Sequence, residues 1–149
     1  MLRSAQQLAL EEAAFHPVPH DKAAIRDLVA SAERKRLDAL LPQVSYDTRV
    51  EANYDACLDL ALAVLEADGW RPRSVPGHHQ HTLEAACHAI GAREALYHRL
   101  DAVRAVRNEK YTGIPRSEHD LRESLSVLEE FSAAAEAWLA ERHGEVLRP

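Results

Sequence analysis

Apolar residues recur every three or four positions over much of this chain, and segments rich in proline or glycine separate these stretches. Such spacing is typical of amphipathic α-helices, because it gathers the apolar side chains on one face. The clearest stretch runs from Asp47 to Ala67, and Gly69 is placed to end it. Its apolar positions are Val50, Tyr54, Cys57, Leu58, Ala61, Leu62 and Leu65. The pattern predicts a long amphipathic helix here.

The same spacing predicts helices on both sides of this segment. Four of them run from Ser4 to Phe15, from Asp21 to about Leu41, from about His79 to Ile90, and from Ala92 to about Lys110. Ser117, with Asp120 three residues later, is placed to cap a long final helix. Its apolar stripe is Leu121, Leu125, Leu128, Phe131, Ala135, Trp138 and Leu139. Short connections favour antiparallel neighbours, so we expect one all-α domain over residues 1–149, an antiparallel bundle of four main helices plus a short N-terminal helix.

The composition agrees with this fold class. Hydrophobic residues make up 46% of the chain, but aromatic residues contribute 5% and there are five glycines. Much of the apolar share is alanine, which has the best helix propensity, whereas the aromatic and β-branched residues that favour strands are scarce. The balance favours close-packed helices over sheet.

Net charge, the length of apolar runs and cysteine content exclude some functions and cellular locations for this chain. The formal net charge of −6 argues against a protein that wraps nucleic acid by bulk electrostatics, but leaves room for a local basic site. No apolar run approaches the roughly 20 residues of a membrane-spanning helix. Glu11 and Glu12 stand where a signal peptide would be apolar. Cys57 and Cys87 fall on apolar stripes and indicate reduced core residues. We expect a cytoplasmic protein without a membrane association.

The segment before the final helix carries the candidate chemistry. Arg104, Arg107, Asn108 and Tyr111 are spaced so that a helix places all four on one face. Two guanidinium groups, an amide and a phenol make a poor core and a good phosphate-binding surface. Asp101 lies one turn earlier and is placed to pair with Arg104 when no ligand is present. The alternative interpretation is a solvated helix end, where arginines favour the negative end of the helix dipole.

The order of these segments resembles the HEPN domain family, including HEPN toxins that pair with minimal nucleotidyltransferase antitoxins. The resemblance rests on a helix that ends in Arg-Asn-x-x-Tyr, a short Gly/Pro loop, a Ser-capped start and a long final helix. Earlier features that look similar are Tyr54-Asp55-Ala56-Cys57, Gly69-Trp70-Arg71 and Gly77-His78-His79. The similarity covers about Leu28 to Leu139. It implies a homodimer whose motif helices face each other, with RNA or a nucleotide as ligand.

HEPN ribonucleases carry an arginine, four to six further residues and a histidine, and a toxin branch adds a tyrosine two residues later. If Tyr111 takes the place of that tyrosine, Arg104 matches the motif arginine and Glu109 stands where the histidine would be. Counted from Arg107, the histidine position falls on Thr112, Gly113 or Ile114. The motif histidine is therefore absent. The resemblance implies catalytic roles for Arg104, Glu109 and Tyr111, but with the proton-transfer half of the site incomplete.

Three functions follow as alternatives. The first is a HEPN-like module that binds RNA or a nucleotide and is degenerate as a ribonuclease, which the missing histidine favours. The second is an active metal-independent HEPN ribonuclease of a toxin–antitoxin or defence system. The third is a non-catalytic helical protein that uses the same face to dimerise. A nucleotidyltransferase-type antitoxin is a candidate partner, and no cofactor is expected.

A histidine-rich segment, Gly77-His78-His79-Gln80-His81, precedes Cys87 and His88. Imidazole groups bind zinc and related ions. However, adjacent His78 and His79 do not point the same way on a helix, and no HExxH or CxxC pattern fixes a ligand geometry. We expect a structural role for this segment at the start of a helix, and we predict no metal site.

Overall fold

A computed structural model describes residues 1–147 of the chain, apart from the side chains of Lys110 and Tyr111. The elements are α1 (Ala5–Glu12), β1 (Phe15–Pro17), α2 (Lys22–Asp38), α3 (Tyr46–Ala67), β2 (Trp70–Pro72), α4 (His78–Ala89), α5 (Glu94–Asn108), a 3-10 helix (Glu109–Thr112) and α6 (Glu118–Leu147). The predicted all-α helical bundle is confirmed. Within the described range there are six α-helices, of which α2, α3, α5 and α6 have 15 or more residues. No helix in that range combines the length and hydropathy needed to cross a bilayer.

Side-chain caps fix where several helices begin. Asp21 accepts a hydrogen bond from the Ala24 N–H and starts α2. Ser117 accepts one from the Asp120 N–H, and the Asp120 carboxylate accepts one from the Ser117 N–H in return. Such caps satisfy backbone N–H groups that have no partner inside the helix. Both predicted caps are confirmed.

Helix α3 lies at the centre of the bundle and packs against α2, α4, α5 and α6. The buried surface of α3 differs from the predicted apolar stripe. Leu58 and Leu62 belong to that stripe, but they are only half-buried. Ala56, Ala63 and Val64, which lie outside the predicted stripe, are fully buried. Alanine side chains on these extra faces allow neighbouring helices to approach closely. Helix α3 is therefore buried on several sides, and its enclosed faces also carry the polar residues Asn53, Asp59 and Glu66.

Two short strands were not predicted from the sequence. They pair antiparallel, with Phe15 opposite Pro72, His16 opposite Arg71 and Pro17 opposite Trp70. The first helix ends at Glu12 rather than at Phe15, because Ala13 takes a left-handed conformation with φ of 53°. The predicted loop from Gly69 to Gly77 accordingly begins with a strand. Prolines are tolerated at the ends of such short edge strands, where few ladder hydrogen bonds are lost.

The end of α5 differs from the prediction in a way that concerns the candidate site. Its α-helical part ends at Asn108, two residues before the predicted end at Lys110, and the tighter 3-10 helix continues to Thr112. Gly113 then takes a left-handed conformation with φ of 76° and turns the chain toward α6. The predicted basic face therefore lies where the helix geometry changes.

Candidate functional site

Three of the four predicted binding residues lie on the last turns of α5. Asn108 is exposed, whereas the side chains of Arg104 and Arg107 are 23% and 21% exposed. Tyr111 falls in the 3-10 helix, so the helical spacing no longer places it on the same face by itself. The Tyr111 side chain lies outside the part of the chain that the structure describes.

Arg104 is held by the carboxylate one turn earlier on the same helix. Its Nε donates a hydrogen bond to Oδ1 of Asp101 at 2.7 Å. The other oxygen of Asp101 lies 3.5 Å from the side-chain nitrogen of Gln80 on α4. The predicted pairing of Asp101 with Arg104 is confirmed, and it connects α5 to α4 at this point.

Arg107 is positioned by an aromatic ring but is incompletely hydrogen-bonded. Its guanidinium carbon lies 5.5 Å from the centre of the Tyr54 ring, in cation–π geometry. Its Nη2 lies 3.7 Å from Glu51 Oε1 and 3.9 Å from Asp55 Oδ1, well beyond the roughly 2.8 Å of a strong charge-assisted hydrogen bond. Its Nε is buried and has no acceptor among the described residues. Arg107 therefore keeps donor capacity while its position is fixed.

Tyr54 and His79 are site residues that the sequence did not identify as such. Tyr54 is fully buried on α3, and its hydroxyl lies 3.4 Å from Nδ1 of His79 at the start of α4. Burial raises the pKa of Tyr54 to about 12. Burial also lowers the pKa of His79, and the positive charges of Arg107 and Arg104 lower it further. A neutral imidazole thus lies in the electrostatic neighbourhood of both arginines.

A hollow of about 120 Å³ opens beside Arg107, several times the ~30 Å³ that a water molecule occupies in the liquid. Residues of α3, α5 and the loop before α6 line it. They are Asp47, Thr48, Val50, Glu51, Val106, Arg107, Gly113, Ile114 and Arg116. The hollow has polar and charged walls with one apolar side, which suits a small polar ligand better than an apolar one.

Arg116 forms one wall of this hollow and binds the candidate base Glu109. Its guanidinium donates to the backbone oxygens of Val106 and Ile114 and, at 2.9 Å, to the Glu109 carboxylate. Its backbone N–H donates to Asp47 on α3. Glu109 therefore binds the loop before α6, and no contact between Glu109 and Arg104 or Arg107 is present in the described part of the chain. This role was not predictable from the sequence, because the partners lie on separate elements.

Carboxylates lie beside both Arg104 and Arg107 of α5. Asp101 pairs with Arg104, and Glu51 and Asp55 lie near Arg107. Burial raises the pKa of Asp55 despite the attraction of Arg107, so the ionised form of this carboxyl is partly destabilised. The face is a mixed-charge surface rather than a purely basic ridge. A phosphate ligand would compete with these carboxylates for the guanidinium groups.

The histidine-rich segment does not form a metal centre within the described residues. Nδ1 of His78 lies 3.1 Å from the backbone oxygen of Val75, and His79 contacts Tyr54. The buried Nδ1 of His81 has no partner in the described part of the chain. His78 and His79 lie in the first turn of α4, and the structural role expected for this segment stays a prediction.

The two cysteines are buried, unpaired side chains of α3 and α4, as predicted. Burial raises the pKa of the Cys87 thiol to about 12 and that of the Cys57 thiol still further. Both thiols therefore remain protonated and unreactive in the folded protein.

Comparisons of this chain with protein-family models, with curated proteins and with solved structures find no match. The resemblance to HEPN domains is accordingly a prediction from the sequence.

Proposed function

We propose that the chain is a HEPN-like domain that binds the phosphate groups of a nucleotide or of RNA at the end of α5. The observation that carries the proposal is the state of Arg107, which is held against Tyr54 while its Nη2 lies 3.7 Å from Glu51 and 3.9 Å from Asp55, beyond the distance of a strong hydrogen bond. A guanidinium presents planar donors that match phosphate oxygens. An arginine that is positioned but incompletely bonded is prepared to bind an anion.

Neighbouring groups support the same ligand. Arg104 lies one turn before Arg107 on α5, and the exposed amide of Asn108 follows Arg107 directly. Arg104 binds Asp101 in this structure, and a phosphate would take over one of its donors. The hollow beside Arg107 provides space for a small charged group.

The assembly is part of the proposal and rests on the resemblance. In a HEPN-type homodimer, α5 of each subunit would face its counterpart, and two copies of Arg104 and Arg107 would line one cleft. A nucleotidyltransferase-type antitoxin is the protein partner that the resemblance implies. RNA bound in such a cleft would neutralise the arginines of both subunits.

Binding of a fluorescently labelled single-stranded RNA, followed by anisotropy, tests the proposal. We expect Arg107→Ala to weaken binding about tenfold to a hundredfold, because a hydrogen bond to a charged group is worth about 1.5–3 kcal/mol. The matched control is Arg122→Ala on α6, whose side chain is 70% exposed and lies 3.9 Å from Glu118. It should bind as wild type does. Equal affinities for wild type and Arg107→Ala would reject the site, and equal losses in both variants would indicate non-specific attraction.

A second candidate function, metal-independent RNA cleavage, is favoured by His79. A neutral imidazole near two arginines is the combination that such cleavage needs, although the histidine comes from α4 rather than from the helix that carries the arginines. His79 would accept the proton of a 2′-hydroxyl as the 2′-oxygen bonds to phosphorus and the 5′-oxygen leaves. Water would supply a proton to the departing oxygen.

A ribonuclease assay in excess EDTA tests this candidate. We expect His79→Ala to abolish cleavage and the exposed-site control His119→Ala to retain it. Because the pKa of His79 is lowered from its ordinary 6.5, the wild-type rate should be constant near neutral pH and fall only as the pH drops below 6.5. Cleavage that persists in His79→Ala, or a wild type without activity, would reject cleavage and leave binding alone.

A further inference from the structure

Three metal-binding side chains meet where the C-terminal part of α6 approaches the loop before α2. His20 lies in that loop, and His143 and Glu145 lie near the end of α6. One ligand atom from each of the three lies within 4.8 Å of the other two. It is the one group of three or more such side chains found in the described part of the chain. His20 is separated from His143 and Glu145 by more than 120 positions in the sequence, so no local motif reveals the group.

The backbone conformation near the end of α6 brings His143 and Glu145 to the same side. Residues two apart on a regular helix point to different sides, so a continuous α6 would direct His143 and Glu145 away from each other. Instead, His143 has φ of −138° and ψ of 39°, which breaks the helix at that residue. Gly144, which tolerates unusual backbone conformations, follows the break. The break allows both side chains to face His20.

Contacts on both sides hold the broken segment in place. Val146 is fully buried, and Nε of Arg26 on α2 donates a 2.6 Å hydrogen bond to its backbone oxygen. The His143 ring lies 5.2 Å from the buried Trp138 ring and 5.7 Å from the His20 ring, centre to centre. The segment is therefore packed against the bundle, and the ligands are oriented before any ion arrives.

We propose that His20, His143 and Glu145 bind a divalent transition-metal ion, with zinc as the best fit. Two imidazoles and one carboxylate form a typical three-ligand zinc set, with the fourth tetrahedral position left for water. Zinc–ligand bonds of about 2.0–2.1 Å place ligand atoms roughly 3.3 Å apart, so small side-chain rotations close the observed spacing. The ion would fasten the end of α6 to the loop before α2. This inference is independent of the proposed RNA-binding function.

Isothermal titration of tag-free, EDTA-treated full-length chain with Zn²⁺ tests the proposal, with Co²⁺ absorption as a second readout. We expect one zinc per chain for wild type, and an affinity about tenfold lower or worse for His20→Gln and for His143→Ala, since losing a ligand removes more than the ~1.4 kcal/mol that equals tenfold. Zinc should also raise the melting temperature of wild type but not of the two variants.

Two control variants separate this site from the other histidines. His119→Ala changes an exposed histidine of α6, and His79→Ala removes part of the histidine-rich segment. Both should bind zinc as wild type does. Because His20 is exposed, His20→Gln should keep its helical circular dichroism, so a lost affinity there reports the ligand rather than the fold. A wild type that does not bind zinc, or unchanged affinity in both His20→Gln and His143→Ala, would overturn the proposal.

Discussion

Arg116 makes hydrogen bonds to several separate parts of the chain, and no sequence pattern around it indicates these contacts. Its side chain is 7% exposed, yet it bonds two backbone oxygens and the Glu109 carboxylate. These bonds come from a charged donor, and hydrogen bonds to charged groups contribute more to stability than neutral ones do. The loop that walls the hollow beside Arg107 therefore depends on this side chain.

Replacing Arg116 by methionine tests this dependence. We expect Arg116→Met to lower the free energy of unfolding by about 1–3 kcal/mol, because it removes the hydrogen bonds that a charged donor makes to Val106, Ile114 and Glu109. The exposed control Arg122→Met should change it by less than about 0.5 kcal/mol. Urea denaturation followed by circular dichroism measures both, and equal midpoints for the two variants would contradict the structural role of Arg116.

At the scale of elements, α3 determines how the bundle packs. Four other helices contact it, and its fully buried alanines leave no room for larger side chains. Interiors at this density respond to single methylene groups, and an inserted isobutyl group forces side chains out of their preferred rotamers. The packing around α3 therefore requires small side chains at these positions, just as other core positions require a large side chain of a particular shape.

A larger side chain at Ala63, which is fully buried, tests whether this position requires a small residue. We expect Ala63→Leu to destabilise the fold by about 1–3 kcal/mol even though leucine is a good helix former. Ala137→Leu on the exposed face of α6 is the matched control, because it makes the same change without burial. Thermal unfolding would contradict the expectation if the two variants had the same melting temperature.

Helices were predictable from the sequence because their periodicity and caps are local. Asp21 and Ser117 bond backbone groups three residues away, so both caps can be identified from the local sequence. The strands were not predictable, since Phe15 pairs with Pro72 across most of the first half of the chain. The same limit applies to the site: the spacing on α5 was visible, but the contact of Tyr54 with His79 and the break at His143 depend on how distant segments meet.

At the scale of the whole molecule, a net charge of −6 coexists with a candidate anion site. Arg104 and Arg107 have acidic neighbours from α5 and α3, so these two arginines do not form a purely basic surface. If the proposed site binds RNA, we expect long-range attraction to be weak and binding to depend on short-range contacts at Arg104 and Arg107. The sequence showed the net charge, but it did not show that carboxylates lie beside both arginines.

The pairing of Arg104 with Asp101 has a consequence for ligand choice. The guanidinium of Arg104 already pairs with a carboxylate. Exchanging that carboxylate for chloride or acetate would replace one singly charged partner by another with a similar interaction energy, so little binding energy is gained. A phosphate monoester carries nearly two negative charges and three acceptor oxygens at neutral pH, and so has more to exchange. If the proposed anion site binds phosphate, the Asp101 carboxylate would therefore favour a doubly charged terminal phosphate over singly charged anions, a class that includes the phosphodiesters inside an RNA strand.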